Sequence, residues 1–337
     1  MAHTWLAIIL IGLANILLPP ISALSYETSK PLSSVIEKAK SSTVGILKFL
    51  EDTATPENRQ QFSIRGTGIH IGNGYIVTAR HAVERPEGGK IIVPPMIHVL
   101  TGQFDELQAR FIGVSEFLDI ALYHLAGDTL PSSLTSNPFG VQEPNMGEEV
   151  FTVGYPLGWG PAIGFGRVGN QRTFLPTTKS RLLQVDLSAC RGNSGGGLFN
   201  HQGEIVGMIQ SIIQTEEHSG ERRCSRLAFA VPGSFIQRIA RALIENTHPG
   251  FPKLGIRMMP LKRGTTWKIA VAKATGPARQ GGLRKGDILL SIEDHIITSS
   301  SQLKSYLIEH TIPGQSISIT VLRGNQEQTF VVILGKS

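Results

Sequence analysis

The sequence lacks several features that mark large classes of protein. Its formal net charge is +6, yet it has no block of five or more Lys and Arg residues and no basic stripe interleaved with aromatic residues. The charge therefore indicates a mildly basic surface and does not favour nucleic-acid binding. The ten histidines are scattered and no His-Glu-x-x-His motif occurs, so the sequence predicts no metal site and no cofactor.

The N-terminal apolar run is shorter than the roughly 20 residues that a membrane-spanning helix needs. It extends from Trp5 to Leu18 and is followed by two prolines and small residues that end at Ser25. This pattern resembles a secretory signal peptide over residues 1–25, although no Lys or Arg precedes the run. An uncleaved membrane anchor is the alternative, and both interpretations send the rest of the chain across a membrane.

The chain has only two cysteines, and export would place them in an oxidising compartment. Cys190 and Cys224 form an even pair for an oxidising compartment, which favours one disulfide over two free thiols. Such a bridge would contribute about 3–4 kcal/mol if unstrained. Two buried, unpaired cysteines are the alternative. Because Cys190 comes four residues before Ser194, a bridge would brace the turn that carries this serine.

The composition favours a turn-rich β protein. The chain has 337 residues, 41% of them hydrophobic, which is enough for about two domains with separate cores. It contains 37 glycines and only 7% aromatic residues, together with many short Val and Ile runs. That combination indicates strands joined by turns rather than long helices.

A serine set among glycines follows a strand-like run at residues 182–187. Ser194 lies between Gly192 and three glycines at residues 195–197. Glycines allow backbone N–H groups to converge on a carbonyl that the serine attacks, so the pattern suits a nucleophile on a tight turn. The same residues satisfy the nucleophile-elbow motif of α/β-hydrolases, but a strand, a turn and another strand follow where that fold needs a helix.

A histidine and an aspartate upstream supply partners for this serine. Asn73-Gly74 between two apolar runs predicts a hairpin, and His81 follows its second strand. Asp119 stands inside the apolar run 117–125, where burial of a carboxylate costs several kcal/mol without a partner. A ring N–H of His81 would serve and would fix the tautomer that leaves the other nitrogen as a base. Taken singly, a surface histidine and a solvent-facing aspartate remain the alternatives.

Three motifs in this order resemble those of the HtrA (Deg) group of trypsin-like serine proteases. They are Thr78-Ala79-Arg80-His81-Ala82-Val83, Leu118-Asp119-Ile120-Ala121-Leu122 and Gly192-Asn193-Ser194-Gly195-Gly196. The resemblance implies a mainly β fold, with a chymotrypsin-like double β-barrel protease domain at residues 29–246. After a linker at residues 247–252 it implies a small α+β PDZ domain at residues 253–335.

The resemblance also implies the roles of the site residues. Ser194 would attack a peptide carbonyl while His81 takes its proton, and Asp119 would orient the imidazole. The backbone N–H groups of Gly192 and Ser194 would hold the oxyanion.

The loop around Ser194, residues 190–197, is called the nucleophile loop below, and two of its positions depart from the family pattern. Arg191 and Gly197 stand where relatives usually carry proline, so two residues that fix φ are lost. We therefore expect a resting loop that is partly inactive and is ordered by substrate. Ser188 occupies the place where trypsin-type enzymes put an aspartate, so with Ala189 beside it we expect cleavage after small or aliphatic residues.

The C-terminal segments resemble a PDZ domain. Leu254-Gly255-Ile256 is similar to its carboxylate-binding loop, residues 281–289 to its central signature, and residues 300–310 to its helix. Such a module binds an extended C-terminal peptide as an added strand. A small domain that only packs on the protease is the alternative.

The sequence thus predicts a periplasmic or secreted serine endopeptidase that cleaves unfolded or specific envelope proteins. If residues 29–49 behave as in the family, they help to build a homotrimer. Two other functions stay open, a non-proteolytic chaperone or scaffold and a membrane-anchored, stress-sensing regulatory protease.

Overall fold

The computed structural model of the protein describes residues 31–49, 62–127, 129–175, 180–212, 224–247 and 250–336. The predicted signal segment, residues 1–25, lies outside the described residues, as do residues 248–249 of the predicted linker. No helix in the described part of the chain is long and apolar enough to cross a membrane.

The N-terminal half forms a closed six-stranded antiparallel barrel. Its elements are α1 (Leu32–Ser41), β1 (Thr43–Phe49), β2 (Phe62–His70), β3 (Tyr75–Ala79), α2 (Arg80–Val83), β4 (Arg85–Glu87), β5 (Lys90–Ile92), β6 (Met96–Leu100), β7 (Glu106–Ser115) and β8 (Ile120–Leu125). The barrel closes in the order β1-β2-β3-β8-β7-β6, and β4 and β5 form a separate hairpin. Because β3 and β8 pair with Ala79 opposite Ile120, the residues that follow β3 and precede β8 lie side by side.

A second closed barrel follows. It is built from β9 (Glu149–Gly154), β10 (Ala162–Thr173), β11 (Leu182–Ala189), β12 (Gly197–Phe199), β13 (Ile205–Ile212) and β14 (Ser225–Pro232), and α3 (Gly233–Ile244) comes after it. The strands close in the order β10-β11-β14-β13-β12-β9. The loop between β11 and β12 carries Ser194.

The C-terminal domain is a sheet covered by two helices. Its elements are β15 (Pro252–Lys253), β16 (Ile256–Arg263), β17 (Thr266–Ala274), α4 (Gly276–Gln280), β18 (Ile288–Ile292), β19 (His295–Ile296), α5 (Ser300–His310), β20 (Ser316–Arg323), β21 (Gln326–Ile333) and β22 (Gly335–Lys336). The sheet order is β16-β17-β18-β20-β21, with β19 on β18 and a small β15-β22 pair beside it. The domain has its own apolar core, which includes Leu254, Leu289 and Leu307.

The largest apolar core lies between the two barrels and fixes their relative position. It joins Ile69 and Val77 of the first barrel to Phe151 and Phe199 of the second. Helix α3 completes it, because its apolar residues at i, i+3, i+4 and i+7 form one face. The spacing of apolar residues in the sequence predicts a packed face of Ile236, Ile239, Ala240 and Leu243, and all four are buried. The segments that carry His81 and Asp119 therefore lie at the edge of a continuous core, which includes Ala79, Ala82 and Leu118.

Two local expectations differ from the structure. The sequence predicts Ser234 as the N-cap of a helix that runs to about Asn246, but Pro232 occupies that position without a side-chain cap. The Ser234 hydroxyl donates instead to Glu143 at 2.9 Å. The apolar run 117–125 predicts Asp119 inside a strand, or at the strand start and facing solvent. In the structure Asp119 directly precedes β8 in a left-handed conformation with φ of 56°. The turn directs its carboxylate toward α2 rather than into the barrel.

Candidate active site

His81 and Asp119 meet where β3 and β8 end together. The Nδ1 atom of His81 lies 2.6 Å from Asp119 Oδ2, and the backbone N–H of His81 donates to Oδ1 at 3.0 Å. A carboxylate only accepts, so Nδ1 carries the proton and Nε2 is left with its lone pair. Both oxygens of one carboxylate thus fix the orientation and tautomer of the ring.

Gln210 connects this pair to the serine. Its side-chain Nε2 donates to Asp119 Oδ2 at 3.3 Å, and its backbone oxygen accepts from Ser194 Oγ at 3.4 Å. Among the described residues, Ser194 Oγ makes no hydrogen bond to the His81 ring. The three groups share one edge of the interface between the barrels, with the serine hydroxyl directed to strand β13.

The loop that carries Ser194 requires glycine at two positions. Gly192 has φ of +99°, and a Cβ there would lie 2.1 Å from the backbone oxygen of Tyr155. Gly195 has φ of +88°, and its Cβ would lie 2.0 Å from the backbone oxygen of Thr67. A side chain at either site would be strained and would collide with backbone that has no room to move.

Thr67 ties this loop to the first barrel. Its N–H donates to the Ser194 oxygen at 2.9 Å, and its hydroxyl donates to the Gly192 oxygen at 2.6 Å. The same hydroxyl accepts the N–H of Tyr155 at 3.0 Å. The carbonyl of Arg191 accepts the N–H of Leu157 at 2.6 Å. Three loop carbonyls are therefore held by hydrogen bonds to neighbouring segments.

The N–H groups of the same loop have a different environment. Within the part of the chain that the structure describes, those of Gly192 and Ser194 donate no hydrogen bond, whereas those of Asn193 and Gly195 donate to Cys190 and Ile209 at 3.1 and 2.8 Å. Unpaired N–H groups on a glycine turn are suited to bind an anionic oxygen.

The predicted disulfide is formed. Cys190 and Cys224 are bonded, with their Cα atoms 4.3 Å apart. The bridge ties the start of the nucleophile loop to the start of β14. Next to Cys190 on β11, Ala189 is buried and Ser188 is exposed.

Among the described residues, no group of three His, Cys, Asp or Glu side chains is placed so that it could bind a metal ion.

The C-terminal domain has an apolar cleft of about 330 Å³ at the loop predicted to bind a carboxylate. Leu254, Gly255 and Ile256 line it together with Leu303 and Leu307 of α5. Gly255 has φ of +83°, and a Cβ there would lie 2.3 Å from the backbone oxygen of Thr275. The loop conformation therefore depends on glycine.

Phe117 of the first barrel also lines this cleft. Its ring stacks on that of Phe251 with centroids 4.4 Å apart, and Phe117 precedes Asp119 by two residues. The cleft is consequently adjacent, along the chain, to the turn that holds the carboxylate beside His81.

A buried ion cluster forms a second link between the domains. Arg181 contacts Glu143 and Glu309, each at 2.8 Å, and the side chains of Arg181 and Glu309 are only 6% and 7% exposed. Burial opposes the charge of Arg181, but the hydrogen bonds that it donates to the carboxylates of Glu143 and Glu309 raise its pKa above the ordinary value. Breaking such a pair would leave an uncompensated buried charge.

Sequence reasoning missed Thr67, Gln210, Phe117 and Glu309. Thr67 lies between two glycines in β2, and Gln210 follows the apolar run 205–209 within β13; these are the only local signals. Phe117 and Glu309 make contacts between the domains, and no local feature of the sequence predicts such contacts.

Comparisons with known proteins agree with this architecture. A family model described as "Trypsin-like peptidase domain" matches residues 66–208, and one described as "PDZ domain" matches residues 252–334. The Lactococcus lactis subsp. cremoris protein "Serine protease Do-like HtrA" is 26% identical over 94% of this chain and 86% of its own length. Its Bacillus subtilis counterpart of the same name is 24% identical over 91% of this chain and 73% of its own length.

A longer relative and a solved structure extend the comparison. The Halomonas elongata "Probable periplasmic serine endoprotease DegP-like" is 27% identical over 80% of this chain, which spans 56% of that relative. The structure "HtrA-type protease AlgW with decapeptide" has a TM-score of 0.71, covers 90% of this chain and 98% of its own, and is 22% identical. At that identity the structural likeness concerns the fold alone. From its two matched domains and these relatives, the chain belongs to the HtrA family and is a serine-type endopeptidase with a trypsin-like peptidase domain and one PDZ domain.

Proposed function

We propose that His81, Asp119 and Ser194 hydrolyse peptide bonds in unfolded or specific envelope proteins, and that the PDZ domain binds C-terminal peptides. The observation that carries the catalytic part is the double contact of Asp119 with His81, beside a loop whose Gly192 and Ser194 N–H groups are unpaired among the described residues. These parts supply a base of fixed tautomer and an anion-binding turn.

The reaction begins with a change at the serine. Ser194 Oγ leaves the Gln210 oxygen, donates its proton to Nε2 of His81 and attacks the substrate carbonyl. The two N–H groups stabilise the resulting oxyanion, and His81 then protonates the leaving amine. Water repeats these steps on the acyl-enzyme and returns the serine. In the resting state the Ser194 hydroxyl is bonded to Gln210 and not to His81, which supports a partly inactive resting state. Binding of substrate rotates the hydroxyl toward His81.

Substrate selection on the acyl side involves Ser188 and Ala189. Neither side chain carries charge, so the proposed pocket accepts small or aliphatic residues rather than Arg or Lys. An aliphatic preference suits the recognition of segments that are buried in folded proteins and exposed in unfolded ones.

The PDZ cleft takes a C-terminal segment of a substrate or regulatory peptide. Leu254, Gly255 and Ile256 bind its carboxylate and backbone, and α5 packs on its side chains. A peptide in this cleft contacts Phe117, whose turn includes Asp119, and so PDZ binding affects the orientation of His81.

The periplasm or the cell exterior is the proposed location, with a homotrimer as the assembly. Relatives named as periplasmic endoproteases support this location, and so does the disulfide, because such bonds persist in oxidising compartments.

Cleavage of an unfolded protein tests the proposal. Wild type and Ser194→Ala are compared with and without a peptide that ends in a free apolar carboxylate, and the same peptide with an amidated C-terminus is the matched control. We expect cleavage only with Ser194, and stimulation only by the free carboxylate. Equal cleavage by the Ala variant would exclude this catalytic site, and equal stimulation by the amidated peptide would exclude carboxylate recognition at the PDZ domain.

A further inference from the structure

A cleft of about 500 Å³ adjoins the nucleophile loop on the side of the first barrel. Gly192 forms one edge of it, so the cleft is continuous with the proposed anion-binding turn. Its remaining lining residues come from β1, β2, the segment after α2, the turn after β9 and the nucleophile loop.

The lining is strongly cationic. Of the described residues that line it, Lys48, Arg65, Arg85 and Arg191 are basic and none is acidic. Arg85 is paired with Glu87 at 3.0 Å outside the lining. Arg65 donates to the backbone oxygen of Glu84 at 2.7 Å, while the carboxylate of Glu84 contacts Arg80. If the charge of Glu87 is counted as balancing that of Arg85, the positive charges of Lys48, Arg65 and Arg191 remain at this cleft.

The position of the cleft identifies which side of the scissile bond it serves. His81 protonates the leaving amine, so the leaving segment lies toward α2. Arg85 and Pro86 of the lining follow that helix directly. The proposed pocket for the acyl side, at Ser188 and Ala189, belongs to the second barrel and does not line this cleft. A substrate whose carbonyl oxygen reaches Gly192 therefore extends its leaving segment into the cationic cleft.

Burial makes the charge effective. Arg65 is half-buried, and desolvation lowers the pKa of its guanidinium while the carboxylate of Glu84 partly opposes this effect. An arginine remains charged at neutral pH. A carboxylate brought by substrate would thus compensate the charge of Arg65, which is only partly hydrated, next to the exposed charges of Lys48 and Arg191. Attraction between a cationic cleft and an anionic segment also raises the association rate.

We infer that this cleft is a subsite for acidic residues immediately after the scissile bond, formed by Lys48, Arg65 and Arg191. The inference rests on the proposed function, since it places the leaving segment relative to His81 and Gly192. It gives the enzyme a selection rule that the neutral acyl-side pocket lacks: cleavage sites followed by Asp or Glu are favoured, and those followed by Lys or Arg are disfavoured.

Three internally quenched peptides test the subsite. They share one acyl-side sequence and carry Glu-Glu, Gln-Gln or Lys-Lys in the first two positions after the scissile bond. At low ionic strength we expect kcat/KM to follow the order Glu, Gln, Lys, because exposed charge pairs each contribute modestly. The expected ratio between the extremes is about tenfold, which corresponds to about 1.4 kcal/mol. Salt reduces the ratio through screening.

Charge-reversal variants identify the residues responsible. The Lys48→Glu/Arg191→Glu double variant should reverse the order, and Lys48→Gln should reduce the ratio without reversing it. Arg110→Glu is the control for a charge reversal of the same kind, because it reverses one charge at an exposed position of β7 that does not line the cleft. All variants are compared as ratios, so a general loss of activity does not affect the result.

The outcomes separate the subsite from the proposed function. Equal cleavage of the three peptides by wild type, or an order that the double variant leaves unchanged, contradicts the subsite while Ser194-dependent cleavage still stands. If wild type cleaves none of them and no unfolded protein either, the proposed function fails and the subsite fails with it.

Discussion

Gln210 donates its side-chain amide to Asp119 at 3.3 Å. The same residue accepts the Ser194 hydroxyl at its backbone oxygen, so one strand position contacts both the nucleophile and the acid. Because a side-chain substitution removes only the first contact, the two roles can be separated.

Gln210→Leu removes the amide donor at similar volume. A hydrogen bond to a charged group contributes about 1.5–3 kcal/mol, and we expect kcat to fall by at least about tenfold while KM stays within about twofold. The loss arises because Asp119 holds His81 less firmly. Gln171→Leu is the control, since that amide donates to the Pro144 oxygen away from the site. Unchanged kcat with an unchanged Tm would show that Gln210 does not position Asp119.

Thr67 is expected to determine whether the nucleophile loop stays formed. Thr67→Val removes the hydroxyl that bonds Gly192 and Tyr155, and each buried polar group left unpaired costs about 1–3 kcal/mol. Denaturant unfolding should show this loss, and kcat/KM should decrease because the oxyanion N–H groups lose their fixed direction. Thr67→Ser keeps both hydrogen bonds and should restore most of the stability and activity. Failure of the serine variant to do so would contradict this role of the hydroxyl.

The disulfide is predicted to stabilise both the fold and the loop. Cys190→Ala/Cys224→Ala removes a bridge between residues 34 positions apart, which should lower the free energy of unfolding by about 3–4 kcal/mol. Activity should fall along with stability because Cys190 begins the loop that carries Ser194. A reducing agent should lower the free energy of unfolding of wild type and leave that of the double variant unchanged. Similar sensitivity of the two proteins would exclude the bridge as the cause.

His70 is expected to reduce stability below neutral pH. Its Nδ1 donates to Thr135 at 2.7 Å and its Nε2 accepts the N–H of Gly74 at 3.1 Å, so the folded site holds the neutral ring. Burial lowers its pKa below 6.5, partly opposed by the Thr135 bond. The unfolded chain therefore binds the proton more readily, and stability falls as pH drops below about 6.5, by at most about 1.4 kcal/mol per pH unit.

Unfolding of wild type and His70→Gln at pH 8, 6 and 5 measures this effect. At pH 8 the ring is neutral in both states, so the difference there gives the structural cost of the substitution. At lower pH the variant should lose less stability than wild type. Parallel pH profiles would mean that His70 does not contribute to the acid sensitivity.

Local sequence signals predicted much of the fold. Asn73 and Gly74 specify the hairpin because both adopt positive φ, and the apolar spacing of α3 specifies its buried face. The helix at Ser300–His310 also has the predicted bounds. Each of these features depends on neighbouring residues only.

The remaining features depend on contacts between distant segments. Thr67 contacts Gly192 only because the two barrels pack together, and Arg181 contacts Glu309 only because the PDZ domain docks on the second barrel. Asp119 could be singled out from the sequence because it is an acidic residue in an apolar run. The left-handed turn that directs its carboxylate to His81 could not be predicted, because aspartate in an apolar run is equally consistent with a strand.

Covalent labelling tests the catalytic assignment most directly. Wild type, Ser194→Ala and His81→Ala are incubated with a fluorophosphonate, and intact mass spectrometry with peptide mapping counts and locates the adducts. We expect one adduct on wild type at Ser194, none on the serine variant, and labelling slowed by at least about a hundredfold in the histidine variant, because general-base catalysis contributes roughly that factor or more. Labelling at another residue, or equal rates in wild type and His81→Ala, would contradict the proposed role of His81 and Ser194.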